Sequence, residues 1–299
     1  MYLSFSGFKQ FWTCPRSYWH GYIDKTPLPS PENRVNSLYG IVVGRLFEVF
    51  YAESLWRSPD TVGVLLGKVD QELDHAISKE TRSGVLNWKD KKANYDSREA
   101  LVEDIREAIP RGIATIRHHK LVGVDAKAEL KLDARIEGHI IGGRADFVMT
   151  RVSPHGDTVI LDGKGSRHRD AYIDDRQLLW YAMLYRVHYG KTPDKLGFVY
   201  WRSEPDESLD WLLWTDADVD RLRETVFEYI RQIEDGMQSL SKEPEDVRRL
   251  VMLETFQARP GKKCSLCAYA SVCPEGKFFM KPMDIPKHDG VGIEDIGLD

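Results

Sequence analysis

The sequence predicts an α/β protein, and three observations carry that prediction. Apolar residues recur at helical spacing through most of the first 120 residues, and between 127 and 162 the period shortens to two. A further helical stretch, two short apolar strands and another helix then follow, so strands and helices must share one core. With 299 residues, 42% hydrophobic and 30% charged, the chain has the size and composition to bury that core.

The elements follow in order. Residues 4–12 (SFSGFKQFW) form a short aromatic helix that starts at a serine cap and runs into Cys14-Pro15, and Pro27, Pro29 and Pro31 make the loop after it. Helical spacing returns over 37–56, 61–79 and 96–119, with a polar loop between the last two that carries Lys89, Lys91 and Lys92. Strict alternation over 127–134, then 140–150 and 158–162, reads as three strands of an antiparallel meander, with Ser153-Pro-His-Gly-Asp157 as its second turn. Residues 170–191 are a helix stopped by Gly190; 195–203 and 209–215 are strands; Asp216 caps a helix running to about Gly236. The segments expected are a helical region at 1–120, a core at 121–240, a cysteine-bearing segment at 241–283 and a flexible acidic tail at 284–299.

No basic start leads into an apolar block, and no apolar run approaches the roughly 20 residues that span a bilayer. The expectation is a cytoplasmic protein with no membrane partner. A net charge of −5 does not advertise nucleic-acid binding, but it does not exclude an enzyme that acts on DNA. A metal centre needs acids, and a substrate channel needs only local cations such as Lys89, Lys91, Lys92, Arg167, Arg169 and Arg176.

The strand 158–162 ends in Asp162-Gly163-Lys164. Residues two apart on a strand share a face, so acid and lysine project together beside an exposed glycine backbone. A surface turn with an ion pair has the same tripeptide. The preceding strand adds Asp146 inside an apolar run, and two converging carboxylates plus the Gly163 carbonyl are hard oxygen donors suited to Mg²⁺ or Mn²⁺. Gln177 and Tyr181 lie one turn apart on the following helix, where both can reach the strand ends. Glu129 reads as the polar face of its strand or as one more acid of the site. His20, His118, His119, His139 and His168 show no ligand spacing.

In this order, G-R-A-D-F-V (143–148), I-L-D-G-K-G-S (160–166) and Q-L-L-W-Y (177–181) resemble the PD-(D/E)xK nuclease superfamily and its RecB-like exonuclease branch, across residues 127–202. Each motif is degenerate; the ordered trio is specific. The resemblance implies a restriction-endonuclease-like core with a central mixed β-sheet flanked by helices, plus a helical N-terminal elaboration. It implies that Asp146, Asp162 and the Gly163 carbonyl bind the divalent metal, that Lys164 is catalytic, and that Gln177 and Tyr181 support the site. One feature departs from the branch, which carries a histidine ligand in a G-x-x-x-H pattern. Here Gly40-Ile-Val-Val-Gly44 has glycine at that place, and Glu48, one turn later, is the candidate substitute.

Cys264, Cys267 and Cys273 fall within ten residues, and the fourth cysteine, Cys14, lies near the other end of the chain. Four thiolates fit structural zinc or a cubane iron–sulfur cluster. The C-x2-C-x5-C run with a lone N-terminal cysteine resembles the iron–sulfur nucleases of the same branch, including the AddB nuclease domain and CRISPR-associated exonucleases. That resemblance implies a [4Fe-4S] cluster joining the N- and C-terminal segments. The aromatic residues Phe8, Phe11, Trp12, Tyr18, Trp19 and Tyr269 read as helix packing rather than base-stacking platforms.

The expected activity is metal-dependent hydrolysis of DNA phosphodiesters, as a single-strand exonuclease serving repair or recombination. The competing expectation is a DNA-binding or scaffold protein on a degenerate nuclease fold. The sequence names no protein partner.

Overall fold

A computed structural model of the protein describes residues 1–28, 33–82, 84–91, 93–122, 125–150, 157–165 and 173–279. The element order begins with β1 (Tyr2–Ser4), α1 (Phe5–Thr13), α2 (Pro15–Tyr18), α3 (Val35–Ala52), α4 (Thr61–Glu80) and α5 (Arg98–His118). The strands β2 (Asp125–Ile136), β3 (His139–Thr150) and β4 (Thr158–Lys164) come next, followed by α6 (Asp175–Tyr189), β5 (Lys195–Tyr200) and β6 (Leu209–Trp211). The last elements are α7 (Asp216–Lys242), α8 (Glu245–Thr255) and α9 (Pro274–Lys277). Contacts divide the chain into two compact units, Met1–Phe8 with Pro31–Ile230 and Lys9–Ser30 with Arg231–Asp299.

The first unit is organised by a mixed six-stranded sheet in the order β1-β3-β4-β5-β6, with β2 paired along the other edge of β3. β2, β3 and β4 form the antiparallel meander expected from alternation. Glu137 and Gly138, at φ 50° and 84°, close its first hairpin in two residues. The second turn, residues 153–156, lies outside the described residues, as do Lys92, Arg167, His168, Arg169 and the expected acidic tail. β4 and β5 run parallel, joined through α6, while β6 returns antiparallel.

Helices cover both faces. On one face, Leu38, Val42, Leu46 and Phe47 of α3 join Phe147, Met149, Val159, Leu161 and Trp201 in one buried cluster with α4 and α5. Each such side chain contributes about 1.5–3 kcal/mol relative to exposure. On the other face α6 buries Leu178, Trp180, Tyr181 and Leu184, and the Trp180 indole donates to the Gly142 carbonyl of β3 at 3.1 Å. Gly190, at φ 72°, ends α6 as expected.

Three expectations need correction. Residues 2–4 precede the first helix as strand β1, which pairs with only Ile140–Gly142 of β3 and is too short to show alternation. The Ser4 hydroxyl still caps α1, accepting from the Gly7 N–H at 3.3 Å. Asp218 rather than Asp216 accepts the Thr215 N–H, at 2.8 Å, at the start of α7. That helix does not stop near Gly236; a Cβ there would lie 2.6 Å from Thr255 Cγ2, so the glycine permits close packing of the end of α8.

In the second unit Arg16 is 1% exposed and donates to the Phe256 carbonyl at 2.7 Å and the Leu253 carbonyl at 2.8 Å. Phe11, Tyr18 and Trp19 pack as rings, with Phe11–Tyr18 and Trp19–Phe256 centroids 5.5 and 5.2 Å apart. In the first unit Phe8 packs on Trp180 at 5.4 Å. These aromatics are therefore helix packing. Trp12, at 38% exposed, is the outward one.

Candidate active site

One edge of β3 changes partner along its length, and the site lies in the change. Ile140–Gly142 pair with β1 and Phe147–Thr150 pair with β4, which leaves residues 143–146 without a ladder partner on that edge. Asp146 occupies this opening. The β3–β4 ladder ends at Phe147↔Leu161, one step before Asp146 would oppose Asp162. Instead of a backbone bond, the Gly163 N–H donates across the gap to Asp146 Oδ2 at 2.8 Å.

Asp162 and Lys164 share the α6 face, as alternation requires, and Lys164 Nζ lies 2.5 Å from Asp162 Oδ2. The same ammonium donates to Gln177 Oε1 at 3.0 Å, and Gln177 Nε2 donates to the Tyr181 hydroxyl at 3.1 Å. Six of the residues singled out from sequence thus fall into two linked groups, Asp146–Gly163 and Asp162–Lys164–Gln177–Tyr181. Gly163 is also forced by its other face, because a Cβ there would meet the Trp201 indole nitrogen at 2.7 Å. Trp201 is itself fixed by stacking on Phe47 at 4.2 Å.

Burial, and then the charge of Asp162, raises Asp146 well above the usual carboxylate range. Asp162 is 2% exposed, and burial raises it too, against the pull of Lys164. Burial and the two nearby carboxylates raise the Tyr181 hydroxyl, which holds it protonated. Two acids are therefore set beside one lysine, a group short of positive charge. A divalent cation supplies that charge, and hard oxygen donors suit Mg²⁺ or Mn²⁺. Among the described residues, no group of three or more His, Cys, Asp or Glu side chains is gathered for a metal, so the acid pair needs the Gly163 carbonyl or water to complete a ligand set.

A cleft of ≈ 400 Å³ opens beside Asp146 and Gly163. Glu48 lines it on α3, raised by burial against the neighbouring Arg45 guanidinium, and so does Gly44. Glu129 lines it from β2, directly across β3 from Asp146. Its φ of 51° breaks the otherwise continuous β2–β3 pairing at that position. A glutamate held in the left-handed region costs about 1–2 kcal/mol, and such strain collects at functional sites. The strict alternation of β2 gave no sign of it. His75 and Lys79 of α4 also line the cleft and went unmarked in the sequence, because their spacing is common on any helix.

A second network missed from sequence fixes the exit of β4. Arg202 donates to the Gly165 carbonyl at 2.8 Å, to both Asp104 oxygens at 2.5 Å and to the Tyr95 hydroxyl at 2.6 Å, and its guanidinium lies 3.4 Å from the Tyr39 ring centroid. Of the expected channel cations, Lys89 and Lys91 are exposed, and Arg176 is engaged by Asp174 at 2.7 Å.

All four cysteines belong to the second unit and are free thiols. Three have contacts at or near α2: the Arg259 N–H approaches Cys14 Sγ at 3.5 Å, Cys267 Sγ lies 3.9 Å from the Ser17 hydroxyl, and Cys273 Sγ lies 3.3 Å from Glu275, which pairs with Arg16 at 3.5 Å. Burial raises the Cys273 thiol. The donor set suits a thiophilic centre, although no three of these thiols are gathered for a metal.

The family model of the PD-(D/E)XK nuclease superfamily matches residues 2–274. No curated protein matches the chain in sequence. Among solved structures, a crystal structure of SSO0001 is 15% identical, covering 58% of this chain and 73% of that one, with a TM-score of 0.27. That of protein VC1899 from Vibrio cholerae is 12% identical, covering 66% of this chain and 52% of that one, with a TM-score of 0.23. No described helix is long and apolar enough to cross a membrane.

Proposed function

The chain belongs to the PD-(D/E)XK nuclease superfamily, and from that premise we propose that it is a metal-dependent deoxyribonuclease of the RecB-like branch, acting on single-stranded DNA from its ends. Its mixed sheet flanked by helices fits a restriction-endonuclease-like fold. The observation that carries the reading is the linked set at the opening of β3, in which Asp162, Lys164, Gln177 and Tyr181 are chained beside Asp146 and Gly163.

Asp146, Asp162 and the Gly163 carbonyl would hold Mg²⁺ or Mn²⁺, with Glu48 in place of the histidine absent at Gly44. When bound, the ion supplies Lewis acidity and positive charge at the phosphodiester. Lys164, steadied by Asp162 and Gln177, presents its ammonium to the charge that develops on the attacked phosphate. Gln177 spends its carbonyl on Lys164 and its amide on Tyr181, which fixes the lysine and leaves the Tyr181 proton free to donate. In the second unit, Cys14, Cys264, Cys267 and Cys273 would hold a [4Fe-4S] cluster with a structural role, since its ligands come from both ends of the chain. Repair or recombination is the setting in which single-stranded ends are consumed.

The test compares wild type and Asp162→Ala, each with Mg²⁺ or Mn²⁺, on end-labelled linear and on circular single-stranded DNA. Wild type degrades the linear strand and spares the circle, and the variant degrades neither. Equal cleavage by the two proteins overturns the catalytic assignment, no cleavage by wild type favours the DNA-binding reading, and cut circles overturn end dependence. Iron and colour after anaerobic purification test the cluster; folded, iron-free protein containing zinc contradicts it.

A further inference from the structure

α3 carries Gly40 and Gly44, one turn apart, on the wall of the cleft that Asp146 and Gly163 also line. No atom lies within 4 Å of where a Cβ would sit on either glycine, so neighbouring atoms do not require glycine at these positions. Alanine is the better helix former in a helix interior, and there is room for it. What the two glycines provide is open space in the cleft that Asp146 lines.

α4 lines the cleft as well. His75 and Lys79 are four residues apart, share one helix face and line the same cleft. Neither side chain has a hydrogen bond or ion pair among the described residues. The other cations of the cleft are engaged: Arg45 pairs with Glu48 and, at 3.6 Å, with Glu72, and Arg144 pairs with Glu129 at 3.4 Å. An uncommitted ammonium and an imidazole thus line the same cleft as Asp146 and as two helical positions that carry no side chain.

We propose that this gap is a backbone-binding subsite, in which a nucleic-acid strand runs along Gly40 and Gly44 and a phosphate adjacent to the attacked one is held by Lys79 and His75. The ligand class rests on the nuclease reading above. A phosphate fits because the free groups are donors, and because a sugar–phosphate chain can approach a helix that presents no Cβ. Contacts of this kind hold a strand in register without reading its bases.

The test is fluorescence anisotropy of a 5′-fluorescein-labelled oligothymidylate with full-length protein in Ca²⁺, at several salt concentrations. Lys79→Ala weakens binding about 5–10-fold and lowers the slope of log K against log salt by about 0.7, the share of one single-strand phosphate. His75→Ala/Lys79→Ala weakens it further. Gly44→Leu, which fills the gap, weakens binding at least about 10-fold, while Gly44→Ala raises Tm by about 1–3 °C through better helix propensity. Unchanged affinity and salt slope in His75→Ala/Lys79→Ala, or unchanged affinity in a folded Gly44→Leu, overturns the subsite. Cleavage by wild type, assayed in parallel with Mg²⁺, separates the two failures. A cleaving wild type whose variants bind normally sinks the subsite alone; a wild type that neither binds nor cleaves sinks the nuclease reading and the subsite with it.

Discussion

Asp162 and Lys164 are in contact, and Asp146 is bonded to the strand between them, whereas the four cysteines come from opposite ends of the sequence and are free thiols. The carboxylates stand on adjacent strands whose opposite faces are packed in the core, so alternation alone aims them. Cys14 and Cys273 stand just before α2 and α9, and Cys264 and Cys267 stand in and just after the 3₁₀ turn Lys262–Leu266, elements of no more than five residues. The contrast teaches that side chains on a buried sheet are aimed by the fold, while the cluster proposed for the short irregular segments would have to organise them itself.

The largest effect that sharpens this contrast is on chemistry. Lys164→Ala should lower kcat by about 10²–10³-fold with little change in far-UV circular dichroism, because the scaffold of the first centre does not depend on the lysine. A drop below tenfold would detach Lys164 from the reaction. Next in size is stability of the second unit. Cys267→Ser should remove iron and lower Tm by on the order of 10 °C, with residual activity in the folded fraction. An unchanged Tm would mean that no ligand organises that segment.

A smaller effect follows from the acid pair. Both carboxyls are raised by burial, so in the metal-free protein their contribution to stability is present below the ordinary carboxylate pKa near 4 and is lost as pH rises through the raised values. Asp146→Asn should therefore melt higher than wild type in EDTA, by about 1–2 kcal/mol, with a gain that grows as pH increases and shrinks when Mn²⁺ is added. Thermal melts across pH with and without the ion check this; a pH-independent difference contradicts it. Smallest is Glu129→Gly, which relieves the left-handed backbone and should stabilise by up to about 1 kcal/mol while lowering activity. Lost stability would show that the glutamate side chain outweighs the strain.

What the sequence disclosed follows the same division. The meander, α3 to α6 and the six residues around the opening of β3 were legible, because periodicity and spacing on regular elements translate directly into faces. β1 was not, since its three residues become a strand only by pairing with β3. The reason for Gly163 was only half legible: the indole of Trp201 beneath it lies on another strand's exit. The Arg202 network was hidden because its hydrogen-bond partners stand 37 to 107 positions away and the Tyr39 ring lies farther still along the chain. Gly44, read as the place of a missing ligand, gains a second meaning as open space in the cleft wall.

The claim on which the rest depends is that Asp146 and Asp162 form a divalent-metal centre. Its most direct test is calorimetric titration of Mn²⁺ into EDTA-stripped, desalted wild type, Asp146→Asn and Asp162→Asn. The account predicts saturable binding to wild type at one or two ions per chain and loss of that binding in both variants. Binding retained unchanged in either folded variant would contradict it.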